Sequence, residues 1–331
     1  MSPINISVVI ATRDRVRLLA SCLSAFSRQT YDKNLFEIIV INDGSTDGTE
    51  AFLSGFKEKT DLNFRYMSHE NKGVSYSRNV GIDRAVGHFI AFTDDDCKVP
   101  ENWLSKIAGL WEDAGTSVAG IGGPLNSHPG NNYISRYIHF LDEFNSIPVL
   151  GKYRITHVHV SKLPDNAPIA YLRTSNAVFR KRCVQEVGGF DIAFKRPGGE
   201  DPDLCYRILN LGLSFHLDKD LVVLHKNRDS IKSYFGALKS YIGGEFRQKS
   251  KIHCYRIKSI RRSCVLIPAQ KLAALGFSLL TAPIIMAKLF YRSQFSLIEK
   301  SSFPFLFIAS KLYALGISLY FQARYSFSNL I

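Results

Sequence analysis

His88-Phe89-Ile90-Ala91-Phe92-Thr93-Asp94-Asp95-Asp96-Cys97-Lys98-Val99-Pro100 is the stretch whose reading decides the fold. Its first half is a short apolar run without charge, the pattern of a buried strand. Three adjacent carboxylates follow at the exit, where they repel one another and ask for a cation. A hard divalent ion, Mg²⁺ or Mn²⁺, takes oxygen ligands and shares its other positions with phosphate. Taken alone, three carboxylates suit a solvated acidic turn equally well. The surrounding chain separates the two readings.

Outward from this strand, apolar runs alternate with helical spacing. Residues 6–11 form a β-branched run that ends at Thr12-Arg13-Asp14-Arg15, and Leu18, Leu19, Leu23 and Phe26 give residues 16–29 a helical stripe. A second buried strand at 36–41 closes on Asn42-Asp43-Gly44-Ser45-Thr46-Asp47-Gly48. Helices are expected at 49–59, 73–86 and 203–212, and strands at 63–67, 88–93 and 221–224. Such alternation predicts a doubly wound, mostly parallel α/β sheet flanked by helices. Ligands of these sheets bind at the carboxyl ends of the strands. Here those ends carry Thr12-Arg13, Asp43-Gly44 and Asp94–Asp96, a polar set suited to a nucleotide diphosphate.

Composition narrows the classes further. The 331 residues are 46% hydrophobic and 12% aromatic, which excludes disorder and permits a large core. Lys and Arg total 42 against 29 acids, a net charge of +13. Residues 228–262 concentrate ten Lys or Arg against two acids, just before the most apolar part of the chain. That placement points to an anionic membrane surface. Nucleic acid is disfavoured, because no aromatic platform is interleaved with the basic residues. The six cysteines show no ligand spacing and read as reduced thiols. The chain passes almost at once into a strand, so no signal peptide is expected.

Several stretches then occur in a telling order: Ser7-Val8-Val9-Ile10-Ala11-Thr12-Arg13-Asp14-Arg15, Ser27-Arg28-Gln29-Thr30-Tyr31, Ile39-Val40-Ile41-Asn42-Asp43-Gly44-Ser45-Thr46-Asp47-Gly48-Thr49, Glu70-Asn71-Lys72-Gly73, Ser77-Arg78-Asn79-Val80-Gly81, Phe92-Thr93-Asp94-Asp95-Asp96, Val187-Gly188-Gly189-Phe190-Asp191 and Gly199-Glu200-Asp201. In this order the chain resembles the family 2 glycosyltransferases of the GT-A fold over roughly residues 5–225. Two positions depart from the family pattern: Asn42 stands where a second aspartate is common, and Thr93 where leucine is.

The resemblance implies a sugar transferase that uses a nucleotide-sugar donor, UDP by preference, and Mn²⁺ or Mg²⁺. Ala11, Thr12, Arg13, Asp43, Gly44 and Gly73 would line the nucleotide pocket, with Asp43 accepting from the base; in isolation Asp43 also fits an Asx turn. Arg78 would meet the donor diphosphate or make a surface ion pair. Along an extended segment Asp94 and Asp96 face the same side. Asp96 is implied as the most direct metal ligand, with Asp94 and His225 beside it, and Asp94 or Asp95 reaching the ribose or sugar. Asp201 corresponds to the family's general base, in a Gly-rich loop just before a helix, although an acidic N-cap is the plainer reading of that position. Thr174, Ser175, Asn176, Asp191 and Glu200 would lie near the acceptor or the donor sugar.

Three parts are expected: a catalytic domain at 1–227, a basic helical linker at 228–262 and an apolar helical pair at 263–331. Residues 272–287 carry no charge between Lys271 and Lys288, whereas 303–321 hold Lys311 near the centre. Sixteen helical residues reach only about 24 Å, short of a ~30 Å hydrocarbon core. Two spans, two interfacial helices and a pair packed on the soluble domain all remain open. With the basic run on the cytoplasmic side, the catalytic domain would face the cytoplasm and a saccharide or lipid-linked acceptor. The competing readings are a non-catalytic nucleotide-sugar-binding scaffold of a membrane polysaccharide assembly and a nucleotidyltransferase. The latter wants a Gly-rich loop after the first strand, which Thr12-Arg13-Asp14-Arg15 does not supply.

Overall fold

The computed structural model describes residues 5–128, 132–138, 171–254 and 297–327, with the isolated positions 272 and 275. Strands β1 (Ile6–Thr12), β2 (Phe36–Asn42), β3 (Phe64–Ser68) and β4 (Phe89–Thr93) are parallel and lie in the order β3-β2-β1-β4. Helices α1 (Val16–Phe26), α2 (Thr49–Lys59) and α3 (Val74–Arg84) connect them. The two central strands are almost wholly apolar because helices cover both faces of the sheet. Val8, Ile10, Ile38 and Val40 enter one core, while Val9, Ile39 and Ile41 enter the other. Both cores thus follow from strand alternation.

Beyond β4 the direction changes. Next come β5 (Cys97–Lys98), α4 (Trp103–Asp113), β6 (Val118–Gly122), β7 (Leu125–His128) and β8 (Asn176–Arg180). The helices Lys181–Glu186 and Glu200–Leu209, then β9 (Ser214–Leu217) and β10 (Val223–Lys226), complete this unit. β8 runs antiparallel to both β4 and β6, which extends the sheet to β3-β2-β1-β4-β8-β6-β9. A small second sheet holds β5, β10 and β7. The mostly parallel sheet expected from sequence is present, with β8 as the antiparallel exception.

Two boundaries differ from expectation, and both bear on function. The helix expected at 203–212 begins at Glu200, so Glu200 and Asp201 occupy its first turn. Gly198 and Gly199, at φ +126° and +93°, make the turn that lets it start there. Acidic residues also favour the positive end of a helix. The strand expected at 221–224 is Val223–Lys226, so His225 lies within it. Pairing with β5 and β7 carries the strand past Leu224.

The described residues form two compact units that are not linear in sequence. One contains 5–128, 171–196 and 200–226; the other contains 132–138, 197–199, 227–254 and 297–327. In the second unit most of the expected basic linker is the helix Ile231–Cys254. It packs on the helix Leu297–Phe327 through Ile242, Phe246 and Ala314. Within the latter helix, Ser301–Phe321 is 21 residues long with mean hydropathy 1.5, enough by length and composition to cross a membrane. Residues 272–287 lie outside the described residues apart from two positions.

Candidate active site

Strand register brings the polar ends together. Thr12 stands opposite Asn42, Asn42 opposite Ser68, and Val9 opposite Phe92. Thr12 therefore reaches Asp95, and its Oγ1 donates to Oδ2 at 2.7 Å. After Thr12 the chain reverses at Asp14, which takes the left-handed conformation at φ +51°. Aspartate tolerates this because its short side chain bonds locally. Asp14 Oδ1 accepts from the Thr46 amide at 2.6 Å, joining the loops that follow β1 and β2. The reversal leaves Arg13 half-exposed beside Asp14, at 3.5 Å, and turns Arg15 inward. Arg15 Nη1 lies 2.9 Å from both Asp95 Oδ1 and Asp96 Oδ2.

The small sheet supplies the other side of this acidic turn. His225 pairs with Cys97, and the Lys226 amide donates to the Asp96 carbonyl at 2.9 Å. Asp94, Asp96, Cys97 and His225 consequently present ligand atoms within 4.8 Å of one another. Asp96 Oδ1 lies 3.4 Å from His225 Nε2, is buried, and has no hydrogen-bond partner among the described residues. A buried, unsatisfied carboxylate oxygen is rare without an ion to meet it. Two carboxylates and an imidazole fit Mn²⁺ or Mg²⁺. Burial, reinforced by Asp94 and Asp96, pushes the Cys97 thiol up and keeps it protonated, a neighbour of the group and a poor ligand for a hard ion.

A second cluster adjoins the first through Arg78. Its guanidinium is buried, with Nη2 3.2 Å from Asp94 Oδ1 and Nη1 3.0 Å from Glu200 Oε1 and 3.5 Å from Asp201 Oδ1. The pairing of Thr93 with Asn176 sets residues 174 and 175 against these carboxylates. Ser175 Oγ donates to Asp94 Oδ2. Thr174 donates to Asp201 twice, from its amide at 3.1 Å and from Oγ1 at 2.9 Å. Burial, with Glu200 adding its charge, raises Asp201 to about 7 against the pull of Arg78. Burial works against ionised Asp94 too, but Arg78 and the Ser175 hydroxyl hold it below the usual carboxylate range. Asp95 is raised to about 6, chiefly by burial and also by Asp96, with Arg15 opposing. A carboxylate near 7 is matched to general base work at neutral pH.

Asp43 closes the far end of the site. It is buried, and its carboxylate accepts from the Lys72 amide at 2.7 Å and the Gly73 amide at 3.1 Å. Gly73 sits at φ +95° before α3, where a side chain would strike the Lys195 carbonyl. Gly44 packs on the amide of Asn71 across the same loop, and Ala11 stands opposite Ile41, one residue before the end of its strand. Both departures from the family pattern have local reasons. Asn42 Nδ2 donates to Glu50 Oε2 at 2.9 Å, where an aspartate would bring a second carboxylate. Thr93 Oγ1 donates to the Ser175 carbonyl at 3.1 Å, which a leucine could not do.

Four of the expected residues have other partners in the structure. Asn176 is 1% exposed, with Oδ1 bonded to Trp103 Nε1 at 3.0 Å and Nδ2 to the carbonyls of Pro124 and Leu221. No part of its amide is left for an acceptor. Glu200 is buried and paired with Arg78. Arg78 is likewise no surface ion pair. Asp191 Oδ1 accepts from the Ala193 amide at 2.9 Å within its own turn. Sequence reasoning missed Arg15 and Cys97. The signal for Arg15 was Asp14, a residue type that tolerates a reversal and so turns the following side chain inward. For Cys97 there was none, since its place depends on pairing with a strand more than a hundred residues away.

Known proteins resemble this chain in sequence and in fold. Residues 7–187 match the family model described as glycosyl transferase family 2. Glycosyltransferase AglE of Haloferax volcanii is 28% identical over 225 residues, which cover 67% of this chain and 67% of that protein. Chondroitin synthase of Escherichia coli is 27% identical over 302 residues, covering 80% of this chain and 42% of that longer protein. Among solved structures, the mannosyltransferase PcManGT from Pyrobaculum calidifontis, in complex with GDP-Man and Mn²⁺, superimposes with TM-score 0.63 at 15% identity, over 96% of this chain and 88% of that one. S. aureus TarS 1–349 in complex with UDP gives TM-score 0.51 at 15% identity, over 78% and 75%.

Proposed function

The chain belongs to glycosyl transferase family 2 and has the GT-A fold, and from that premise we propose that it moves a sugar from a nucleoside-diphosphate donor to an acceptor hydroxyl with inversion at the anomeric carbon. The observation that carries this reading is Asp201, raised to about 7 and joined by the single guanidinium of Arg78 to Asp94 of the cation group. One network thus links a base to the place where a diphosphate would depart.

In the reaction the acceptor oxygen forms a bond to the anomeric carbon as that carbon's bond to the diphosphate oxygen breaks. The hydroxyl proton passes to Asp201, and the electron pair leaves with the nucleoside diphosphate. Thr174 fixes the Asp201 carboxylate by two hydrogen bonds, so that it approaches the acceptor in one orientation. Asp96, Asp94 and His225 would hold Mn²⁺ or Mg²⁺, which when bound supplies Lewis-acid charge to the leaving diphosphate. Asp43, already pinning the loop before α3, keeps lone pairs for a base N–H, while Thr12 and Gly73 border the same pocket. UDP and GDP are the first donors to test, since solved relatives hold one or the other.

The acceptor is proposed to be a saccharide or lipid-linked sugar in polysaccharide or glycoconjugate synthesis, as the name of the chondroitin synthase relative suggests. Membrane association at the cytoplasmic face is supported by the apolar helix Ser301–Phe321 and the basic helix Ile231–Cys254. The test is release of nucleoside diphosphate from UDP-, GDP- and dTDP-sugars, with Mn²⁺ or EDTA and a lipid extract as acceptor, by wild type and Asp96→Ala. Metal-dependent release from one donor, lost in the variant, is the expected result. Folded protein that binds a donor without cleaving it would leave the scaffold reading, and folded protein that neither binds nor cleaves any donor would contradict both.

A further inference from the structure

Among the described residues, Arg15 is the one guanidinium whose single nitrogen is shared by two neighbouring carboxylates of the acidic turn. Nη1 bonds Asp95 Oδ1 and Asp96 Oδ2 at equal distances of 2.9 Å. Occupying Oδ2 in this way fixes the Asp96 carboxyl plane and leaves Oδ1 directed at His225, buried and without a hydrogen bond among the described residues. The contact is also accessible. The Arg15 side chain is 37% exposed, against 6% for Arg78. Water can therefore solvate Arg15 if an ion changes the balance.

From these observations we propose that Arg15 is a positioning residue that sets how tightly the Asp94–Asp96–His225 group holds a divalent ion: it presents Asp96 Oδ1 as a ligand while its own charge keeps the site from retaining the ion alone. Arg15 offsets part of the negative charge of Asp95 and Asp96, while Arg78 is divided among Asp94, Glu200 and Asp201, and the negative charge that remains can take a divalent ion together with an anionic diphosphate. Without Arg15 the same carboxylates lose one compensating cation a few ångströms away, where unlike charges interact by several times RT. The ion then stays with or without nucleotide. Arg15 thereby ties arrival of the ion to arrival of the donor, and its departure to departure of the nucleoside diphosphate. This inference rests on the metal-dependent reading above.

The experiment titrates MnCl₂ into wild type, Arg15→Gln, Arg15→Lys and Asp96→Asn. Free Mn²⁺ is followed by electron paramagnetic resonance, with and without UDP or GDP, after circular dichroism has verified folding. Arg15→Gln is expected to bind Mn²⁺ alone at least about tenfold more tightly than wild type, because one repelling charge is gone. The nucleotide should strengthen Mn²⁺ binding strongly in wild type and far less in Arg15→Gln, and the ion should strengthen nucleotide binding by the same factor. Arg15→Lys, which keeps the charge, should stay near wild type. Arg15→Gln binding Mn²⁺ no more tightly than wild type, while Asp96→Asn loses it, would overturn the inference and leave the metal reading standing. Asp96→Asn binding as well as wild type would overturn the metal reading, and this proposal with it.

Discussion

Arg15 and Arg78 do similar electrostatic work at the same site, and their settings are opposite. Arg15 begins α1, keeps more than a third of its side chain in solvent, and shares one nitrogen between Asp95 and Asp96. Arg78 lies inside α3, is buried, and uses both terminal nitrogens on Asp94, Glu200 and Asp201. Water can replace a half-exposed guanidinium in part, even where its carboxylate partners, Asp95 and Asp96, are largely buried. A buried charge has no such substitute, so breaking its network leaves unpaired carboxylates behind. The difference teaches that water can reach one arginine, whereas the other is part of the buried frame that holds Asp94, Glu200 and Asp201 together and opposes the rise that burial and Glu200 impose on Asp201.

The sharpest way to break this comparison is at the group Arg78 serves. Asp201→Asn keeps the shape of the side chain and removes the base, so the transfer rate should fall by roughly 10²–10⁴-fold, the usual share of a general base. Donor affinity, measured by calorimetry, should stay at the wild-type value; a parallel loss of binding would place Asp201 in donor recognition. Next in size is Arg78→Met, which strands the carboxylates of Asp94, Glu200 and Asp201. Its unfolding free energy should drop by about 3–5 kcal/mol in urea titration. A change below 1 kcal/mol would mean, by the usual worth of an exposed pair, that Arg78 is solvated like Arg15. Arg15→Gln should cost less than Arg78→Met in the same titration, because water can reach the Arg15 position although Asp95 and Asp96 are largely buried. Its larger signature is the change in Mn²⁺ affinity, and a stability loss equal to that of Arg78→Met would erase the contrast between the two.

The contrast also marks where sequence reading succeeds. The parallel half of the sheet was legible because Ile6–Thr12 and Phe36–Asn42 are apolar but for Ser7, Glu37 and their polar ends, the pattern of strands covered on both faces. Their polar exits located Thr12, Asp43 and Asp94–Asp96 without any knowledge of side-chain direction. The antiparallel β8 was not legible, since its pairing with β4 spans more than eighty residues and leaves no local trace. That pairing brings Thr174 and Ser175 to the acids, while the Asn176 side chain is taken up by Trp103 and the carbonyls of Pro124 and Leu221. Arg15 and Arg13 are indistinguishable as residue types two positions apart; the left-handed Asp14 decides which one turns inward. Asp201 was identified by resemblance, but its raised proton affinity depends on burial beside Glu200, a property of packing.

The central claim is that Asp201 acts as the base and that its surroundings set the pH at which it acts. The most direct test is the pH dependence of single-turnover sugar transfer in wild type and Glu200→Gln. Protonated Asp201 cannot accept the acceptor's proton, so the wild-type rate should climb through a limb near 7 and level off above it. Removing the Glu200 charge takes away one cause of the raised value, and the limb should move to lower pH. A wild-type rate flat from pH 5 to 8 would contradict the account, as would a limb that stays in place when Glu200 is neutralised.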